Sequence, residues 1–302
     1  MTATATRSGR SARPSGIRSQ SVRSSQSGGY LLWEGLSPCY GEPARRAPLA
    51  LIATGISRPS KNPKTGPMVQ TWLLRTDMPP HLAIASGEDE ATCNQCPLRP
   101  HLVRDSGVPG EKSAQCYVNG GQAVLQIWKS YRGGLYPKLA RRSFNRVFGG
   151  RTVRLGSYGN FSNVPMAIIA AICESAKWTM YEHNWRNASW LIPWAMASVS
   201  SVEEKEEANL LGWRTFRVKR PEDDILPDEV YCPADEERER PVTCAKCLLC
   251  CGTERKARNV CIDDHGPTAP ESIRKRREAA DLAKLERQAQ LLTIGTTRLA
   301  QA

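Results

Sequence analysis

Cys93, Cys96 and Cys116 form one group of thiols, and Cys232, Cys244, Cys247, Cys250, Cys251 and Cys261 form a second. Together they hold nine of the chain's eleven cysteines. Two residues between thiolates let both sulfurs reach one ion, so such spacing points to metal binding. The first group supplies three thiolates. A closed zinc site needs a fourth donor, for which Cys39, His81 and His101 are near in sequence. An iron–sulfur cube held by three cysteines instead keeps one iron open to a ligand, as a reductive, radical-generating cluster requires. In the second group Cys232, Cys244, Cys247 and Cys250 offer four thiolates, which suit zinc and iron–sulfur equally, with Cys251 and Cys261 left over. Cys173 falls on the apolar face of a predicted helix and reads as packed.

Bulk properties narrow the class. The chain has 302 residues and a net charge of +12. Residues 1–30 carry five arginines and no acid, and the residues from Pro270 onward carry seven basic and four acidic side chains. Such tails attract polyphosphate without sequence preference. No apolar run is long enough for a membrane span, and the Ser/Arg-rich start lacks the apolar core of a secretory signal. The expected setting is the cytoplasm, where disulfides rarely persist and paired cysteines bind metal.

These thiols flank a stretch that must position them. Residues 1–30 read as a disordered basic tail. Residues 31–122 hold two strands, near Leu49–Ile56 and Met68–Arg75, and then the first cysteine group. Residues 123–220 alternate: a helix over Val124–Tyr131, strands at Arg151–Gly156, Trp178–His183, Trp194–Val199 and Trp213–Val218, and helices over Pro165–Ala176 and after a Ser200/Glu203 capping box. Residues 221–266 hold the second cysteine group, and residues 267–302 read as an amphipathic helix opened by a Thr268/Glu271 box. Strand–helix alternation predicts an α/β fold, a partial (β/α) barrel or open parallel sheet, with two cysteine-rich metal-binding segments.

In parallel α/β folds functional groups gather at the carboxyl ends of strands. The first such end is Gly156-Ser157-Tyr158-Gly159-Asn160, whose glycines allow close backbone approach to a cofactor. The second is Tyr181-Glu182-His183-Asn184-Trp185, with a carboxylate and an imidazole, His183 being suited to carry a proton or to ligate a metal. The fourth carries Arg217 and Lys219, suited to a phosphate or carboxylate. The expected catalytic residues are therefore Asn160, Glu182 and His183, with Gly156, Ser157, Tyr158, Gly159 and Arg217 binding the cofactor. Five tryptophans in this segment offer surfaces on which bases stack. No P-loop, dinucleotide fingerprint or serine triad is present.

The words CNQCPLRP, QCYV, RGGLYP, VRLGSYGNFSNVP, YEHNW, MASVSS and GWRTFRV resemble an uncharacterised cysteine-rich family of bacteriophage and mobile-element genomes. It is distantly similar to radical-SAM-like phage proteins. The resemblance spans roughly Ile52 to Cys250 and implies that Cys93, Cys96 and Cys116 are cluster ligands with the Tyr158–Phe161 turn beside them. The expectation is an iron–sulfur, S-adenosylmethionine-dependent enzyme acting on nucleic acid; the alternative is a non-catalytic, zinc-stabilised nucleic-acid-binding protein.

Overall fold

The computed structural model describes residues 28–38, 46–100, 116–235, 242–253 and 255–264. The basic N-terminal tail, Cys39, His101 and the C-terminal helix expected over 267–302 lie outside the described residues.

Among the described residues nine strands form one mixed, mostly parallel sheet. They are β1 (Tyr30–Leu36), β2 (Pro48–Thr54), β3 (Val69–Arg75), β4 (Thr152–Tyr158), β5 (Lys177–Glu182), β6 (Met196–Val199), β7 (Thr215–Lys219), β8 (Glu229–Tyr231) and β9 (Asn259–Asp263). The spatial order is β1-β2-β3-β4-β5-β6-β7-β9-β8. β1, β2 and β3 pair antiparallel. From β3 onward every pair is parallel. The order follows the chain up to β7, so each crossover from β3 to β7 steps to the next position. The sheet runs through three of the segments marked out from composition and ties them together.

The helices are α1 (Pro80–Ser86), α2 (Glu90–Cys93), α3 (Ala123–Arg132), α4 (Phe144–Phe148), α5 (Met166–Ser175), α6 (Val202–Leu210) and α7 (Cys244–Cys247). β2 reads PLALIAT because both of its faces are covered, which removes the usual polar alternation. Leu49, Leu51 and Ala53 join Val153, Leu155 and Met180 in the core under α4 and α5, where Ile169, Ile172 and Cys173 are also buried. Ala50 and Ile52 point the other way, toward Val124 and Tyr158 beneath α3. Further along that second face Met196, Val260 and Ile262 pack with Cys232 and Cys250. Both cysteine groups therefore cover the same face of the sheet, opposite α4, α5 and α6.

Two local expectations shift. The cap of α6 is Ser201, whose Oγ accepts from Glu204 N at 3.2 Å, while the Glu204 carboxylate accepts from Ser200 N at 2.8 Å. The capping box is thus real but one residue later than Ser200/Glu203. Arg217 and Lys219, expected at a strand end to meet a phosphate or carboxylate ligand, are instead 1% and 2% exposed. The parallel neighbours β8 and β9 bring Glu229 and Asp263 to them, at 2.6 Å in both pairs. Among the described residues no helix is long and apolar enough to cross a membrane.

Candidate metal centre and strand-end site

The first cysteine loop is clasped before it reaches the sheet. Asp89 O accepts from Cys93 N at 2.8 Å and from Thr92 Oγ1 at 2.9 Å. The Asp89 carboxylate takes Arg99 Nε at 3.1 Å and Nη2 at 2.9 Å, and Arg99 Nη1 donates to Asn94 O. Arg99 Nη2 also donates to Gly87 O. Asp89 and Arg99 are 2% and 3% exposed, so this ion pair forms inside the protein and closes the loop around Cys93 and Cys96. It has no signature in the sequence, because a single Asp and a single Arg ten residues apart form no motif.

Gly159 lets the loop seat on the sheet. Its φ is +84°, and a Cβ there would stand 2.8 Å from Leu73 Cβ and 3.2 Å from Thr92 O. Asn160 N then donates to Thr92 O at 2.8 Å, and Asn160 Nδ2 to Cys93 O at 2.7 Å. Asn160 Oδ1 lies 3.3 Å from His183 Nδ1. A second chain runs alongside: Asn94 Nδ2 donates to Ser162 Oγ at 2.7 Å, and Ser162 Oγ donates to Glu182 Oε1 at 3.1 Å. Ser162 N and Asn184 N also donate to the Glu182 carboxylate, at 3.0 and 2.9 Å. Asn160, Glu182 and His183, three residues picked out at two strand ends, thus converge on the cysteine loop.

Burial sets the protonation of this junction. Glu182 is fully buried, which pushes its carboxyl up to about 7 against the pull of the Asn184 and Ser162 donors. Burial holds His183 down to about 4. The Cys93 thiol is raised well above its usual range, first by burial and then by the fields of Asp89, Cys96 and Cys116. Burial also pushes Cys96 up to about 12 and raises Cys116. The three thiols are thus neighbours that feel one another. Tyr158 lies against them, its phenol raised by burial and then by Cys93.

The remaining strand-end residues divide. Ser157 Oγ donates to Gln70 Oε1 at 2.6 Å, on the face that carries the cysteine groups. Gly156 has φ +80° and its N donates to Thr71 Oγ1, so it shapes the β3–β4 junction. Arg217 is not brought to this site: its Nε and Nη2 grip Glu229 at 2.8 and 2.6 Å. His81 is exposed on α1. Trp185 and Trp213 are buried in the core.

The second cysteine group sorts itself around Tyr181. Burial raises the Tyr181 phenol strongly, and Cys250, Cys244 and Cys232 raise it further. Cys250 in turn is raised by burial, opposed by its hydrogen bond with Tyr181, and feels Cys232, Cys244 and Cys247. Cys251 faces Arg214 and Arg255 instead, and Cys261 faces Glu229, Arg217 and Lys219. Cys232, Cys244, Cys247 and Cys250 thus act on one another electrostatically, apart from Cys251 and Cys261. The backbone anchors this group widely: Cys244 N donates to Lys64 O, Ala245 N to Thr65 O and Met180 N to Cys250 O. Gly252 packs so tightly that a Cβ would stand 2.5 Å from Pro193 O. Among the described residues no three His, Cys, Asp or Glu side chains are already drawn into an ion-holding set. Donor chemistry and grouping fit a thiolate centre, and binding would require the sulfurs to close in further.

Fold and site define a mixed α/β protein with a mostly parallel nine-stranded sheet and two thiol groups on one of its faces. No family model, no curated protein and no solved structure matches the chain.

Proposed function

We propose that the protein is an iron–sulfur enzyme in which Cys93, Cys96 and Cys116 hold a cluster at the strand ends of a partial (β/α) barrel. S-adenosylmethionine is its cosubstrate and a nucleic acid its substrate. The observation that carries the reading is the Asn160 side chain, which joins Cys93 O at 2.7 Å to His183 Nδ1 at 3.3 Å. A thiol loop is thereby fixed against proton-carrying side chains at the carboxyl ends of parallel strands, where α/β enzymes work. Chain-order pairing from β3 to β7 supports the barrel-like reading.

When bound, a three-thiolate cluster supplies an open iron and an electron for reductive cleavage of the cosubstrate. Asn160 orients the loop through the Cys93 carbonyl. Glu182, poised at about 7, holds or yields a proton near neutrality. Neutral His183 accepts or donates through the nitrogen not facing Asn160. In the second group Cys232, Cys244, Cys247 and Cys250 take zinc or an auxiliary cluster, with the Tyr181 hydroxyl on Cys250 orienting that ligand. So many reduced thiols suit the cytoplasm.

Metal analysis of anaerobically purified protein tests the reading. Brown protein with iron and inorganic sulfide, which cleaves S-adenosylmethionine and loses that activity in a folded Cys116→Ser variant, supports it. Colourless protein with two zinc ions per chain refutes it. That result would favour the non-catalytic zinc-stabilised nucleic-acid binder, for which the four thiols around Tyr181 are the structural argument.

A further inference from the structure

A strong charge asymmetry divides the chain between Cys116 and the second cysteine group. Residues 116–173 contain eight Lys or Arg and no Asp or Glu. Residues 174–269, by contrast, contain 18 acidic and 13 basic side chains. Within the basic segment the chain leaves the outer edge of β1 and returns to the start of β4. Leu139 N donates to Leu31 O at 2.8 Å, which fixes Lys138 beside β1. Phe144 and Phe148, 1% and 0% exposed, pin the short helix α4 to the core. Arg151 follows, and Lys177 N donates to Arg151 O at 3.3 Å where Thr152 and Lys177 stand in register. Lys138, Arg141, Arg142, Arg146, Arg151 and Lys177 are all exposed.

We propose that this stripe is a docking surface for the phosphate backbone of duplex nucleic acid, without sequence preference. It runs from β1 to β5, four strand spacings or about 19 Å. That length of duplex carries roughly 11 phosphate charges, more than the six cations facing it. Acids stand near two of these cations: Glu34 is 3.7 Å from Lys138 in an exposed pair, and exposed Glu174 precedes Lys177. Membrane-surface segments pair their cations with exposed apolar anchors. Between residues 138 and 151 no large apolar side chain is exposed, and Leu139, Phe144 and Phe148 point inward. A rigid row of cations without an apolar face fits a phosphate backbone better than a lipid surface.

The position of the stripe separates it from the chemistry. Arg151 and Lys177 stand at the beginnings of β4 and β5, whereas Asn160 and His183 follow their ends. A seven-residue strand spans about 20 Å. The stripe therefore holds nucleic acid at a distance from Cys93, Cys96 and Cys116. It rests on the nucleic-acid part of the proposed function and not on the identity of the metal.

The test uses the full-length chain and a fluorescent DNA duplex, with anisotropy measured across a salt series. Combined Arg141→Ala, Arg142→Ala and Arg146→Ala lowers affinity at least tenfold at about 0.1 M salt. It also flattens the log affinity against log salt slope by about 2.7, at about 0.9 per lost phosphate contact. The Arg→Lys triple variant keeps the slope, and a thermal melt confirms that both fold. The proposal is overturned by an unchanged slope in the alanine variant, or by binding to phosphatidylserine vesicles and not to duplex. Protein without iron whose salt slope still falls in the alanine variant would refute the iron–sulfur reading and leave the stripe standing.

Discussion

Glu182, buried, and His183, half-buried, are adjacent in the same junction and shifted in opposite directions, so their effects on stability oppose. The Glu182 carboxyl rises from 4.5 to about 7. Its stabilising contribution is complete below pH 4.5 and is lost as pH climbs through 7. One pKa unit is about 1.4 kcal/mol, so the loss across that window is about 3 kcal/mol. His183 falls from 6.5 to about 4. Its contribution is present above pH 6.5 and is lost as pH drops through 4. Because the residue keeps some surface, its share is discounted to about 2 kcal/mol. Between pH 4.5 and 6.5 the two slopes nearly cancel in the parent protein. Glu182→Gln removes one side and keeps the acceptor for Ser162 N and Asn184 N. The variant-minus-parent melting temperature should then rise between pH 4.5 and 7 by about 6–12 °C, at roughly 2–4 °C per kcal/mol for a body of this size. His183→Asn should give a difference curve of opposite sign. Thermal melts of the three proteins at half-unit pH steps decide the matter. Parallel curves, or two difference curves of the same sign, would refute the assigned burial of this pair.

Gly159→Ala meets Leu73 and Thr92 at +84°, so left-handed strain and overpacking together should cost about 2–5 kcal/mol and lower bound metal. Gly134→Ala, at +70° with nothing within 4 Å, should cost only the strain, about 1–2 kcal/mol; equal losses in urea melts would contradict the close approach of the loop. Arg99→Met leaves Asp89 buried and uncompensated, which should destabilise by about 3–5 kcal/mol, with partial recovery when Asp89→Asn is added. Cys250→Ser should abolish one metal per chain whereas Cys251→Ser should keep it, because only Cys250 shares the Tyr181 neighbourhood; metal content per folded chain checks both.

The strands from β2 to β7 were visible in advance because each carries an uninterrupted or alternating apolar run between turn residues. β1 was hidden by its place at the edge of the basic tail, and β9 because its NVCID run sits among charges and cysteines. Local period showed that Arg217 and Lys219 share one side of β7, but not that β8 and β9 would bury that side with Glu229 and Asp263. Such pairing depends on contacts between residues far apart in sequence, which a window of neighbours does not contain. Asn160, Glu182 and His183 were legible because polar residues at the ends of apolar strands have few structural reasons to be there. Asn94, Ser162 and the Asp89–Arg99 clasp were not, since each gains its meaning only from the partner that folding delivers.

The sheet order has a consequence for synthesis. β9 is made after β8 yet lies between β8 and β7. As the chain leaves the ribosome, β8 has nowhere to bind until residues 259–263 have emerged. Until then the flank of β7, Arg217 and Lys219 stay uncovered, and the thiols of residues 232–251 wait beside an unfinished edge. A nascent chain stalled or cut short before residue 259 would be a target for aggregation and for oxidation, because β9, the last strand among the described residues, closes that side of the sheet.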